Sequence, residues 1–293
     1  MTDDQVLVWL REEYAKPFAG WDFSYLDGRR HTIGVKPWDL ETIVLERLST
    51  ATSVLDVDTG DGRLFAEFLG KSGFRGRTAA TEGYPPNVPL ARATLEPLRV
   101  EVREATGEAL PWTDGSFDLI LNRHGLLNGA ESWRALNPGG WLVTQQVGSR
   151  TNLDIHRMLG APLPDGPDWS LATARTALEQ AGFQIHRAQE DFPITRYDDV
   201  GALVWYLKAI PWQIPDFTVD RYADRLVALH RQVERTGTPM DVGFHLFLLV
   251  AQRPEVTTSD ARRRALQQLE GLDGLELDRP DILAEAWRTD RSD

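Results

Sequence analysis

Apolar positions first fall into a helical rhythm over 39–49, where Leu40, Ile43, Val44 and Leu48 share one side. The rhythm then breaks into short apolar runs separated by turns. Ser53 to Val57 reads as a strand that runs into a glycine-rich turn, and 63–71 as the helix that follows. Arg77 to Thr81 predicts a second strand ending at Glu82-Gly83, with a helix over 88–97. Val100 to Val102 is a third, weaker strand, and Asp118 to Leu121 a fourth. A short helix over 130–136 meets the Pro138-Gly139-Gly140 break, and Trp141 to Thr144 forms a fifth strand. A helix over 170–181 closes at Gly182, as helices commonly do, before a sixth strand from Phe183. A late apolar strand spans Phe244 to Ala251. Strands alternating with helices predict an α/β fold whose doubly wound, mostly parallel sheet is covered on both faces.

The remaining stretches divide the chain. Residues 1–49 are expected to form an N-terminal helical extension, with a helix over 1–20 and an aromatic stretch after it, and 50–191 the core. The segment 192–240 holds Pro193, Pro211 and Pro215 and an amphipathic stretch over 220–235, and reads as an inserted helical cap. The last core strand falls in 241–253, and 254–293 is a polar tail. The formal net charge of −12 argues against a nucleic-acid partner, which selects for basic surface. The chain has no cysteine, which excludes disulfides, thiolate metal sites and a cysteine nucleophile. The six histidines lack metal-type spacing, so no metal is expected. No run approaches the roughly 20 apolar residues that span a bilayer. A cytoplasmic monomer or homodimer, without membrane or nucleic-acid partners, is the expectation.

Candidate chemistry centres on Val54-Leu55-Asp56-Val57-Asp58-Thr59-Gly60-Asp61-Gly62, a strand entering a tight turn before a helix. Glycines there let the backbone turn sharply and approach a ligand closely. The dinucleotide pattern G-x-G-x-x-G fails, because its third glycine falls on Phe65 in one register and its last on Arg63 in another. The stretch instead resembles the motif of class I S-adenosylmethionine-dependent methyltransferases, an acidic residue followed by G-x-G-x-G. Asp56 takes the acidic place, Gly60 and Gly62 the second and third glycines, and Asp58 stands where the first would be. Further pieces fall in the family's order: Glu82-Gly83 after the second strand, 22 positions beyond Gly60; Ala105-Thr106-Gly107-Glu108-Ala109-Leu110-Pro111-Trp112 after the third; and Leu136-Asn137-Pro138-Gly139-Gly140 before the fifth. The segments Pro17-Phe18-Ala19-Gly20-Trp21-Asp22-Phe23, Thr81 to Asn87 and Ile210 to Pro215 look like a bacterial branch of that family, one that names no acceptor.

The resemblance implies a Rossmann-like fold, S-adenosylmethionine as cofactor and a small-molecule acceptor. Asp56, Asp58, Thr59, Gly60 and Gly62 would face the methionine part, Glu82 and Gly83 the ribose, Thr106 and Glu108 the adenine, with Asn122 at the adjoining strand end. His124, where open α/β sheets place ligands, is a candidate general base, and equally a packing histidine at the sheet rim. Trp21, Phe23, Tyr25, Arg123, Trp205 and Trp212 are candidates for the acceptor pocket, and the rings serve equally to pin the extensions to the core. The same fold also admits non-methyl chemistry, a cyclisation or rearrangement, or a catalytically silent binder, the last motivated by Asp58.

Overall fold

A computed structural model describes residues 1–255. In chain order, helix α1 (Asp3–Ala15) leads through strand β1 (Arg30–Ile33) and helix α2 (Leu40–Leu48) to strand β2 (Ser53–Val57). Helix α3 (Arg63–Ser72), strand β3 (Arg77–Glu82), helix α4 (Val88–Leu95), strand β4 (Glu101–Glu104) and strand β5 (Phe117–Arg123) follow. Next come α5 (Gly129–Ala135), β6 (Leu136–Val147), α6 (Leu153–Leu159), α7 (Leu171–Gln180) and β7 (Gln184–Asp191). The described part closes with β8 (Ile194–Tyr197), α8 (Val200–Ala209), α9 (Ala223–Thr236), β9 (Met240–Gly243) and β10 (Leu246–Gln252).

Seven strands form the main sheet in the order β4-β3-β2-β5-β6-β10-β7. The pairings from β4 to β6 are parallel; β10 runs antiparallel between β6 and β7. This is the Rossmann-like, doubly wound sheet that the strand–helix alternation predicts. Strand order reverses between β2 and β5, and open α/β sheets place ligands at the carboxyl ends of strands at such a switch point. The central strands are apolar on both faces because both are covered. Val54, Leu119, Leu121, Val143 and Leu248 pack with Ile43, Val44, Phe65 and Phe68 of α2 and α3. Leu55, Ile120, Leu142, Phe247 and Leu249 pack with Ala174 and Leu178 of α7 on the other face.

A second sheet, β1-β8-β9, corrects two expectations. The N-terminal extension is not wholly helical, since it holds β1, and the 192–240 segment opens with a strand, β8. Residues 241–253 likewise hold the end of β9 and all of β10, which lie in different sheets. Each of the three strands has only four residues and finds its partners far along the chain, so no local alternation announces it. Behind this sheet, α1, α6, α8 and α9 build a third core cluster in which Val6, Leu10, Val204, Trp205 and Leu226 are buried. Helix α1 ends at Ala15 rather than near 20, because the residue before Pro17 is driven out of helical geometry: Lys16 has ψ 140°. The polar tail expected over 254–293 lies outside the described residues from 256 onward.

Candidate functional site

The turn after β2 takes its shape from three left-handed residues. Asp58, Gly60 and Gly62 have φ of 56°, 70° and 81°. All three places of the G-x-G-x-G pattern need this conformation, and aspartate is among the few non-glycine residues that adopt it readily. The turn is fastened to β3: the Thr59 N–H donates to the Thr81 carbonyl (2.8 Å) and the Asp58 N–H to the Thr81 hydroxyl (3.1 Å).

Glu82, 3% exposed, ends β3 beside this turn. Its carboxylate accepts from the Gly60 N–H (2.6 Å) and the Tyr84 N–H (2.8 Å). A carboxylate has about four acceptor positions, so two backbone donors orient it and leave capacity for two hydroxyls. Burial raises the pKa of Glu82, while these backbone donors hold it down. Asp56, one strand over, is pushed up to about 7 by burial, against the lowering effects of Thr59 and Arg123.

The Asp58 carboxylate does not lie free in the site. It accepts from the Leu126 N–H (3.0 Å), tying the β2 turn to the loop after β5. Burial raises its pKa, and the Leu126 and Gly107 backbone donors oppose that rise. Loop meets loop closely here: a Cβ on Gly125 would stand 2.5 Å from Asp58, and one on Gly107 would stand 2.0 Å from the Leu126 carbonyl oxygen.

These groups line one cleft of about 1460 Å³. Pockets for a single drug-sized ligand usually span roughly 300–1,000 Å³, so this one has room for two molecules. Of the residues expected from sequence, Asp56, Asp58, Thr59, Gly60, Glu82, Gly83, Thr106, Glu108, Asn122, Arg123, His124, Trp21, Phe23 and Trp212 line it. Gly62 does not; it caps α3, and a Cβ there would meet Leu95 of α4 at 2.8 Å, so it is a packing glycine. Trp205 and Tyr25 are also outside. Trp205 is 1% exposed within the cluster behind the small sheet, and Tyr25 lies against it, its hydroxyl donating to Glu13 (3.0 Å). Helix α8 is buried nearly all round, which is why Trp205 faces core rather than cleft.

Asn122 lines the cleft, but its side-chain oxygen accepts from Thr144 (3.2 Å) and from Gln146, within a buried network. His124 is set by another. The Trp38 indole N–H donates to Gln145 Oε1 (2.9 Å), and Gln145 Nε2 lies 3.2 Å from His124 Nε2. An indole only donates, so it fixes the amide's oxygen towards Trp38 and its NH₂ towards His124. His124 Nε2 must then accept, which leaves the ring neutral with its proton on Nδ1. Burial, then Arg123, then Lys36 push the His124 pKa down to about 3. The ring has exposed surface, but that surface opens into the cleft. Desolvation, the two cations and the amide donor all act in the same direction. A group in this state is poorly suited to take a proton at neutral pH.

Sequence reasoning missed several cleft residues. Tyr84 lies against Trp21, with ring centroids 6.0 Å apart; the expected Trp212 lies against the same ring at 5.6 Å. Arg30, Lys36, Gln145 and Tyr197 also line the cavity. Only Gln145-Gln146, a polar pair continuing an apolar strand, carries a local signal.

Residues 55–144 match the methyltransferase domain family. The biotin biosynthesis bifunctional protein BioHC of Teredinibacter turnerae is 27% identical over 180 residues, covering 55% of this chain; the match spans only 32% of BioHC's own length. The ubiquinone/menaquinone biosynthesis C-methyltransferase UbiE of Escherichia fergusonii is 26% identical over 183 residues, covering 50% of this chain and 72% of UbiE. Among solved structures, the YcgJ protein of Bacillus subtilis shares the fold at 15% identity and a TM-score of 0.52, over 74% of this chain and 98% of that one. Among the described residues no helix is long and apolar enough to cross a membrane. The acidic–glycine turn and the Glu82 cradle both lie within this matched methyltransferase-domain stretch, and S-adenosylmethionine is the cofactor it takes.

Proposed function

We propose that this protein transfers the methyl group of S-adenosylmethionine to a small-molecule acceptor held in the same cleft. The observation that carries this is the Glu82 carboxylate, oriented by the Gly60 and Tyr84 N–H groups with acceptor capacity left for a ribose diol. Asp56 and the left-handed turn stand towards the methionine part, and Thr106 and Glu108 towards the adenine. When bound, the cofactor supplies an electrophilic methyl on a sulfonium; the protein's task is to position the two reactants and exclude water. Trp21, between Tyr84 and Trp212, closes the mouth over the turn, its Cδ1 3.2 Å from where a Cβ on Gly60 would stand. His124 acts as a neutral Nδ1–H donor that orients the acceptor rather than as its base. The acceptor's attacking atom therefore needs no proton taken from it by His124.

Calorimetric titration with S-adenosylmethionine and S-adenosylhomocysteine tests this, with NADH as control. Micromolar binding of the sulfur ligands and none of NADH is expected, with affinity falling roughly a hundredfold in Glu82→Ala as charge-assisted hydrogen bonds are lost. Wild-type protein that binds neither sulfur ligand would sink the proposal.

A further inference from the structure

The small sheet turns a different chemistry to the cleft from the large one. Strands β1 and β8 pair antiparallel with Arg30 opposite Tyr197 and Thr32 opposite Thr195. Side chains alternate along a strand, so these four share one face, and all four line the cleft. Each carries a hydrogen-bond donor, and none is a carboxylate. Tyr206, from α8, joins them, its ring centroid 5.5 Å from that of Tyr197. On the opposite face Arg196 pairs with Asp241 at 2.7 Å, and His31 Nε2 lies 2.8 Å from the Asp198 carboxylate.

Arg30 stands out against its neighbour. Arg29 bonds to Asp199 at 2.6 Å and to Glu13 at 3.1 Å. Arg30, half-buried, is in no ion pair among the described residues. Its guanidinium lies 5.1 Å from the Phe23 ring centroid and 5.8 Å from that of Tyr206. Aromatic faces hold a guanidinium in place and leave its in-plane N–H donors available. Burial raises the pKa of both Tyr197 and Tyr206, so both phenols stay protonated; their hydroxyls hydrogen-bond each other, and Asn152 donates to Tyr206 (3.3 Å) and Arg30 to Tyr197. In a chain with a net charge of −12, a cleft wall of donors around an unpaired cation is the arrangement that receives an anion.

We infer that the acceptor is an oxyanion on an apolar or aromatic body, a carboxylate or phosphate monoester, held by Arg30 and the donors of the β1–β8 face. This rests on the proposed methyl transfer for the word acceptor; the anion site itself does not.

The test uses 4-hydroxybenzoate and phenyl phosphate as the two oxyanion probes and 4-hydroxybenzamide as the neutral counterpart. Each is titrated calorimetrically into the protein with and without saturating S-adenosylhomocysteine. At least one oxyanion is expected to bind tenfold or more tightly than the amide, and whichever does so identifies the headgroup as carboxylate or phosphate. Arg30→Gln is expected to abolish the difference while leaving S-adenosylhomocysteine affinity within twofold, and Arg30→Lys to restore part of it. Equal binding of oxyanion and amide, no oxyanion binding, or a preference that survives Arg30→Gln would overturn the inference. Loss of S-adenosylhomocysteine binding in the wild type, with an Arg30-dependent oxyanion preference intact, would instead overturn the methyl-transfer reading alone.

Discussion

The two walls of the cleft are built on opposite principles. The large-sheet wall carries carboxylates at the ends of adjacent parallel strands: Glu82, oriented by backbone N–H groups; Asp56; and Asp58, which is tied to the Leu126 N–H. The small-sheet wall presents Arg30 and the hydroxyls of Thr32, Thr195 and Tyr197, with no carboxylate among them. A wall rich in acceptors suits a ligand with hydroxyls and an ammonium group; a wall rich in donors suits an oxyanion. The comparison teaches that one cleft separates two reactants by chemistry as well as by shape, so either wall can be disabled without the other.

The largest expected effect is the sharpest break. Glu82→Ala should weaken S-adenosylhomocysteine roughly a hundredfold and leave any oxyanion binding at Arg30 unchanged, the mirror image of Arg30→Gln. If Glu82→Ala weakened both ligands equally, the walls would not be separable. Trp21 comes next. It reaches both Tyr84 on the cofactor side and Trp212 on the cap, with φ of 55°, a conformation that is an outlier for a bulky side chain. Trp21→Ala should cost about tenfold in affinity for either ligand, the value of one or two aromatic contacts. Unchanged affinities on titration would remove it from the lid.

Asp58 gives a smaller effect, and one whose sign matters. Glycine at 58 would relieve the left-handed strain of a side chain, worth about 1–2 kcal/mol, but would release the Leu126 N–H from its charge-assisted bond, worth about 1.5–3 kcal/mol. The net expectation for Asp58→Gly is a weakening of S-adenosylmethionine by about threefold, with Asp58→Asn closer to wild type because its amide oxygen still accepts. A large gain in affinity on Asp58→Gly would show that aspartate had damaged the turn rather than braced it.

How much of this was legible follows the same division. The cofactor wall lies within 56–124, where each glycine or acidic residue sits next to the strand end that positions it, so the resemblance to a family motif singles out Asp56, Gly60 and Glu82, which the fold brings to one cleft. Even there, orientation was not legible. That Asp58 points to Leu126, that Gly62 packs on Leu95 and that Asn122 is taken up by Thr144 and Gln146 depend on contacts between distant loops and strands. The acceptor wall joins 30–33 to 194–197, and no pattern in Arg-His-Thr-Ile alone says that Arg30 will face Tyr197. Trp205 and Tyr25 misled for a related reason. Aromatic residues in an extension serve a pocket or a core equally well in sequence, and the buried face of α8 decided for the core.

The smallest expected effect is a null one, and it bears on the chemistry of both walls. A histidine at the end of β5 invites assignment as a general base, which needs a pKa near neutral. Here the Trp38 indole fixes the Gln145 amide, the amide donates to Nε2, and Arg123 and Lys36 stand on the cationic side of the balance. Protonation would set an imidazolium N–H against an amide donor beside two positive charges. A histidine whose folded pKa lies below its unfolded value of about 6.5 contributes stability above that value, and the contribution is lost as pH falls towards 3. The imidazole resonances of His124, assigned by their disappearance in His124→Asn, are therefore expected to stay constant from pH 8 to pH 5. A midpoint between 6 and 7 would restore the general base, and with it acceptors that must lose a proton during the reaction. A flat profile leaves those acceptors without a partner at His124, and favours one whose attacking atom already carries a free electron pair.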